Sequence, residues 1–153
     1  MEEKVKHLRV SAIENGTVID HICADAVFKV IRILGLDVFD SMVLFATNLD
    51  SKKLGKKGII KVSNKTFQPA ELNKISLVSP HATIIEIEEY QVKSKMVVET
   101  PDLISGIAKC FNPKCITNTE EVATRFAVID KENIRLKCNY CEKITRAENL
   151  EFK

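Results

Sequence analysis

The chain has 153 residues, of which 45% are hydrophobic and 29% charged, and this balance indicates a soluble globular protein of one domain or two small ones. No apolar run spans a bilayer and no signal peptide opens the chain, so we expect a cytoplasmic protein without membrane contact. The formal net charge of +2 is divided evenly between residues 1–100 and 101–153, which argues against a basic nucleic-acid-binding block.

Apolar periodicity predicts a first strand and a first helix. Leu8, Val10 and Ala12 alternate with polar residues, which indicates a strand that ends near residues 15–16. A helix follows, and Gly35 is well placed to end it. Its single apolar face is made by Val27, Phe28, Ile31 and Leu34.

Two strands, a second helix and two further strands come next. Strand-forming residues fill 41–48 and, after a lysine-rich turn that contains Gly55, residues 59–62. Pro69 suits the first turn of a helix, and Pro80 lies just beyond its end. With strands at 82–88 and 90–98, the order β-α-β-β-α-β plus an extra strand predicts an α+β fold for residues 1–100. We expect a ferredoxin-like domain, an antiparallel sheet with two helices on one face.

A polar, proline-containing segment around Pro101 is typical of a linker. The residues beyond it, 101–153, are too few to bury a self-sufficient core without a covalent or metal staple. Strand patterns at 122–129 and 134–138 indicate a small β-rich C-terminal domain. We expect Leu103, Ile104 and Ile107, just after the linker, to couple the two domains.

The strongest motif is a set of four cysteines in this C-terminal domain. Cys110 and Cys115 form C-x4-C, and Cys138 and Cys141 form C-x2-C. Paired spacings of this kind suit a tetrahedral Zn²⁺ held by four thiolates, a closed site that stabilises structure rather than performing chemistry. Two disulfides or four unconnected thiols are the alternatives, and a reducing compartment disfavours the first.

Residues 1–100 contain no nucleophile–base pair and no glycine-rich phosphate loop, so a free-standing enzyme is disfavoured. Alternation places Lys57 and Lys61 on one side of a strand, and Lys93 and Lys95 on one side of the last strand. Converging lysines can hold a polyphosphate, and Asp20 can accept hydrogen bonds from a ribose. The residues alone leave open the alternative of a solvated strand face.

Four segments together resemble the regulatory chain of aspartate carbamoyltransferase. They are GTVIDHI at 16–22, GKK at 55–57 with Lys61, the Pro80-x-Ala82-Thr83 turn, and the CNYCEK loop at 138–143. The resemblance runs from about Leu8 to that last loop. It implies a non-catalytic allosteric subunit of pyrimidine biosynthesis whose N-terminal domain binds CTP and ATP. It further implies that the zinc domain docks on the catalytic chain and that a second regulatory chain completes a homodimer.

The resemblance also assigns roles by position. Asp20 would bind the ribose, Lys61 the base and ribose, and His21, Lys57 and Lys95 the phosphates. The whole nucleotide site would comprise Val10, Ser11, Ala12, Ile13, Asp20, His21, Lys57, Lys61, Ile87, Tyr90, Val92 and Lys95. Asn112, Glu142 and Lys143 would contact the catalytic chain, and the four cysteines would hold one zinc ion. The alternative function is a zinc-ribbon nucleic-acid-binding protein, which the small net charge disfavours.

Overall fold

The computed structural model describes residues 12–153 of the chain. The first part is a five-stranded antiparallel sheet in the order β2-β3-β1-β4-β5, with two helices packed on it. The strands are β1 (Gly16–Cys23), β2 (Val43–Ser51), β3 (Gly55–Ser63), β4 (Thr83–Glu88) and β5 (Gln91–Val97). The helices are α1 (Val27–Ile33) and α2 (Pro69–Val78), and short 3-10 turns occupy Ala24–Ala26 and Leu36–Val38.

One core joins both helices to one face of this sheet. Ile19, Ile60 and Ile84 lie opposite one another on the three central strands and belong to the same buried cluster as Val27 and Ile75 of the helices. This arrangement confirms the predicted ferredoxin-like fold with both helices on one face. Gly58 allows the close approach of α1 to β3, since a Cβ at that position would lie 2.0 Å from Cγ2 of Val27.

The helix boundaries follow the local signals in the sequence. Pro69 occupies the first turn of α2, and Gln68 and Glu71 form a capping box there. Gly35 follows α1 with φ of 66°, a left-handed conformation that glycine adopts without steric cost.

Two features of the first part differ from the predictions. A strand begins at Gly16, where the alternation predicted that a strand would end; the predicted strand itself falls mainly on residues 8–11, which lie outside the described residues. Phe28 does not face the core but is 60% exposed, and it contacts Phe45 edge-to-face at 5.4 Å between ring centroids. Helical periodicity identified the apolar stripe correctly, but it does not distinguish the core from a second apolar contact at the stripe's margin.

The C-terminal part consists of short strands around a second core. A four-stranded sheet has the order β10-β9-β8-β6, and β11 pairs with β7. The elements are β6 (Leu103–Ser105), β7 (Ala108–Lys109), α3 (Ile116–Thr119), β8 (Arg125–Asp130), β9 (Arg135–Cys138), β10 (Ile144–Arg146), a 3-10 turn at Ala147–Asn149, and β11 (Glu151–Phe152). Phe126 and Leu136 are fully buried beside three of the cysteines, so the core and the cysteine cluster form one unit.

The end of α2 connects the two cores. Leu77 is 1% exposed and belongs to the C-terminal core, although it lies on a helix of the first part. Val78 contacts both cores. Of the residues expected to couple the parts, Ile104 and Ile107 pack within the C-terminal core, whereas Leu103 is 66% exposed. The contact between the parts therefore depends on α2 as well as on the linker. No helix within residues 12–153 is long and apolar enough to cross a membrane.

Candidate functional site

The four cysteines predicted as ligands come together in the C-terminal part. The sulfur atoms of Cys110, Cys115, Cys138 and Cys141 all lie within 4.8 Å of one another. The Cys110–Cys141 pair is separated by 3.6 Å and the Cys115–Cys138 pair by 3.7 Å. Four sulfurs at 2.3 Å from a central ion have edges of about 3.8 Å, whereas a disulfide requires about 2.05 Å. The cluster has the dimensions of a tetrahedral metal site.

Two loops present these sulfurs, and backbone and amide groups fix the loops. Cys110 follows β7 and Cys115 precedes α3, while Cys138 ends β9 and Cys141 lies in the turn to β10. The amide of Asn118 donates to the carbonyl oxygens of residues 110 and 112, at 2.8 and 2.7 Å. The N–H of residue 142 donates to the carbonyl of residue 138 at 3.0 Å, which closes the second loop. These hydrogen bonds fix the two loops and do not involve the sulfur atoms.

Protonation of the thiols depends on burial and on nearby donors. Burial raises the pKa of the Cys110 thiol to about 12, and an opposing backbone hydrogen bond from Asn112 does not compensate for it. Burial also disfavours the charged form of Cys141, but hydrogen bonds from the Lys143 backbone and the Asn112 side chain outweigh it and lower its pKa to about 7. A cation is the group that lets all four become thiolates together.

A second candidate site lies on the sheet face opposite the helices. Lys61 lies opposite Val18, Val18 opposite Ile85, and Ile85 opposite Lys95, so these four residues form one row across β3, β1, β4 and β5. The neighbouring row, which contains Ile19, faces the helices, and alternate residues of a strand point to opposite faces. We call the sheet surface that contains the row from Lys61 to Lys95 the open face. It places the two predicted lysines on either side of a short apolar strip.

A β-bulge in β1 positions Asp20 and His21 beside this row. The register of β1 against β3 shifts between Ile19 and Ile22, and His21 has φ of 55°. Its N–H donates to Oδ1 of Asp20 at 2.6 Å, and its Nδ1 lies 3.2 Å from Oγ1 of Thr83. A left-handed conformation costs a residue other than glycine roughly 1–2 kcal/mol, and such strain and bulges are concentrated at functional sites.

Asp20 is the electrostatic centre of the open face. Nζ of Lys57 donates to Oδ1 of Asp20 at 2.8 Å, and both side chains are largely buried. Burial lowers the pKa of Lys61, while the negative charge of Asp20 opposes that shift. Two lysines from β3 therefore interact with one carboxylate, Lys57 by a hydrogen bond and Lys61 through its charge.

The remaining predicted residues of this site fall around the β4–β5 hairpin. Glu89 and Tyr90 form its turn, with φ of 51° and 64°, the combination of a type I′ turn. The N–H of Tyr90 donates to the carbonyl of Glu14 at 2.9 Å, which ties the hairpin to the segment before β1. Ile87 and Val92 lie opposite each other beside this turn, and Tyr90 and Val92 are exposed.

The proposed base-binding segment is described only in part. Ile13 is buried and Ala12 is exposed, and neither belongs to a strand. Val10 and Ser11 lie outside the described residues. Lys93 forms an ion pair with Glu88 at 3.3 Å next to a register shift between β4 and β5, so simple alternation does not relate it to Lys95.

The three residues predicted to contact a partner all belong to the cysteine loops. Glu142 and Lys143 are exposed, and Glu142 has φ of 63°. Asn112 is half-buried, and its carbonyl accepts a hydrogen bond from the N–H of Cys115 at 3.0 Å. Asn112 therefore also stabilises the first cysteine loop.

Local patterns assigned no site role to Val18 or Thr83 of the open face, and Ile85 was identified only through the resemblance, as a position near the base. Val18 and Ile85 fill the strip between Lys61 and Lys95, and Thr83 meets His21. Val18 was identifiable because it precedes Asp20 by two residues and therefore shares its face of the strand. The contributions of Ile85 and Thr83 depend on the pairing of β4 with β1, which no local pattern reveals.

Comparisons with known proteins agree with this two-part architecture. A family model described as aspartate carbamoyltransferase regulatory chain, allosteric domain, matches residues 8–99, and one described as its metal binding domain matches residues 102–151. A regulatory chain from Bacteroides fragilis is 49% identical over 150 residues, covering 98% of this chain and 98% of its own length. One from Pyrococcus furiosus is 51% identical over 145 residues, covering 94% of this chain and 95% of its own length.

Proposed function

The chain belongs to the family of aspartate carbamoyltransferase regulatory chains, and on that premise we propose that its open face binds CTP and ATP and transmits their binding to a catalytic chain. Membership makes it a non-catalytic subunit of a pyrimidine-pathway enzyme and implies a catalytic chain as its partner. Its C-terminal part is the family's metal-binding domain, with four clustered cysteines.

The row that joins Lys61 to Lys95 across Val18 and Ile85 is the observation that carries the nucleotide proposal. A nucleoside triphosphate needs an apolar surface for the base, an acceptor for the ribose hydroxyls and cations for the phosphates. The open face offers the lysines, Asp20 and the strip, in which Ile85 is half-buried and Val18 is buried. The bulge at Asp20 and His21 adds a strained, preformed element of the kind that binding sites use.

We propose zinc as the ion of the cysteine cluster. Soft thiolate ligands in a tetrahedral arrangement favour Zn²⁺ among the common divalent ions, and four protein ligands leave no position open for chemistry. A cytoplasmic location completes this part of the proposal, since a reducing compartment keeps such thiols available for a metal. Elemental analysis of the purified chain tests it, with one zinc per chain expected.

Docking on the catalytic chain is proposed for the cysteine loops. Phe111 and Tyr140 are 47% and 44% exposed beside the ligands, and they flank the predicted contact residues Asn112, Glu142 and Lys143. Aromatic side chains surrounded by polar ones are typical of interface centres. The metal would hold both loops in the shape that the partner recognises.

A second regulatory chain is proposed to pair through the β2 edge of the sheet. β2 is an edge strand, and large exposed apolar residues accompany it: Phe28, Val38, Met42 and Phe45. An unpaired edge beside exposed apolar side chains favours association with another copy.

Calorimetric titration with CTP and with ATP tests the nucleotide proposal. One competing site per chain is expected, and Lys57→Ala and Lys95→Ala should each weaken binding by about tenfold, the loss of one charge-assisted hydrogen bond. Lys56→Ala is the matched control, because Lys56 adjoins Lys57 but forms its ion pair with Asp50 at 2.6 Å. Equal effects of all three substitutions would place the phosphates elsewhere.

A further inference from the structure

Two arginines lie directly opposite each other on neighbouring strands of the C-terminal sheet. Arg135 of β9 pairs in register with Arg146 of β10. Like charges at directly opposite positions of an antiparallel pair destabilise it, because their side chains share one face at close range. Such a pair is tolerated where a negative charge compensates for it.

No carboxylate forms an ion pair with either arginine among residues 12–153, although acidic side chains lie nearby. Neither arginine has an ion pair or a side-chain hydrogen bond there, and Nε of Arg135 is buried without any hydrogen-bond partner. Asp130 lies opposite Arg135 on β8, but its Oδ1 accepts the N–H groups of Glu132 and Asn133 at 3.0 Å each. A buried donor without a partner costs about 1–3 kcal/mol, and a charged one costs more.

Both arginines line a pocket between the two parts of the chain. Its volume is about 520 Å³, and its other wall comes from the first part, at Cys23, Leu77, Val78 and Pro80. From the two arginines that lie opposite each other and the pocket that both of them line, we propose that the terminal N–H groups of Arg135 and Arg146 bind a small oxyanion, a phosphate or a carboxylate. The guanidinium group presents parallel N–H donors that match either of these anions.

The acidic residues of the pocket restrict the ligand to a small one. Asp25, Glu132 and Glu148 also line it, all three are exposed, and Glu132 already lies 3.6 Å from Nε2 of His81. They would repel a polyanion such as a nucleic acid strand. A single phosphate or carboxylate group contacts the arginines while the exposed acids remain in water, where their charge is screened.

An anion bound to the two arginines would contact the C-terminal sheet close to the residues of the first part that line the same pocket. It would favour the arrangement of the two parts in which the pocket surrounds it. Its affinity would therefore depend on any other ligand that changes this arrangement. This site is separate from the open face, and the inference does not require the open face to bind nucleotides.

Thermal unfolding of the metal-loaded chain in phosphate, malonate or chloride at equal ionic strength provides the test. The wild-type chain should melt at a higher temperature in phosphate, malonate or both than in chloride. Arg135→Gln and Arg146→Gln should lose that difference, with at least tenfold weaker anion binding by calorimetry. In chloride Arg135→Gln should be no less stable than the wild type, because it removes a buried Nε–H donor that has no hydrogen-bond partner.

Lys131→Gln is the matched control, since it removes a cation from the adjacent turn but not from the pocket. Stabilisation by phosphate alone or by malonate alone identifies the class of ligand and supports the inference. Stabilisation that persists in both arginine variants, or that disappears in Lys95→Ala instead, would assign anion binding to another surface and overturn the inference. Absence of any anion effect in the wild type would also overturn it. Arg146 is exposed, so Arg146→Gln tests the site independently of any change at the half-buried Arg135.

Discussion

Replacing Cys138 with Ser should unfold the C-terminal part while leaving the five-stranded sheet intact. Cys138 is fully buried, lies 3.7 Å from Cys115 and ends β9, the strand between β8 and β10. If the cluster holds zinc as proposed, serine would be a poor replacement ligand, and the substitution would remove one of four bonds and leave a polar group in an apolar core.

The expected loss is comparable with the whole free energy of unfolding of this part. Structural zinc supplies an apparent 10–16 kcal/mol in small domains, so one ligand of four accounts for roughly 2.5–4 kcal/mol. A unit of about fifty residues is ordinarily stable by only about 2.5–7.5 kcal/mol. Burying the serine hydroxyl without a partner adds about 1–3 kcal/mol to the loss. The sum brings the unit to the threshold of unfolding.

Hydrogen exchange measured by mass spectrometry, together with zinc analysis, tests this expectation. Amides of 125–130 and 135–146 should lose protection in Cys138→Ser, while those of 16–23 and 55–63 should keep most of theirs. Cys23→Ser is the control, because Cys23 lies outside the cluster. One zinc per chain and unchanged protection in Cys138→Ser would refute the assignment of Cys138 as a structural ligand.

Three further predictions concern the open face and the two proposed interfaces. Burial lowers the pKa of Lys61, so this lysine should lose its proton at a lower alkaline pH than an ordinary lysine, and nucleotide binding should weaken there. Calorimetry at several pH values measures this effect, which Lys61→Arg should abolish. Phe45→Ser should shift the chain from dimer to monomer in sedimentation analysis, and an unchanged dimer would place the contact elsewhere. Tyr140→Ala should weaken assembly with the catalytic chain by about tenfold or more without loss of zinc, whereas equal affinity in a pull-down titration would exclude the second cysteine loop.

The parts of the fold that sequence predicted well rest on local signals. Pro69, Gly35 and the periodic apolar residues defined both helices, and the two cysteine motifs located the metal site. These features depend on backbone preferences and on short-range spacing, which one sequence displays directly.

The parts that failed depend on contacts between distant segments. Alternation did not predict a strand at Gly16–Cys23, where pairing with β3 and β4 supplies the hydrogen bonds of β1. Pairing of β4 with β5 brings Ile85 opposite Lys95, and packing of Leu77 into the second core depends on where α2 ends. Strand register and domain contacts are tertiary properties, so local pattern does not determine them.

The most direct test of the central claim is reconstitution of the zinc-loaded chain with its catalytic chain, followed by carbamoyl-aspartate formation with and without CTP and ATP. Assembly should depend on the metal, and the rate should change when a nucleotide is added. Lys95→Ala should assemble normally but lose most of the nucleotide response. A nucleotide response that is unaltered in Lys95→Ala, or assembly that proceeds equally well without the metal, would contradict the proposed regulatory function.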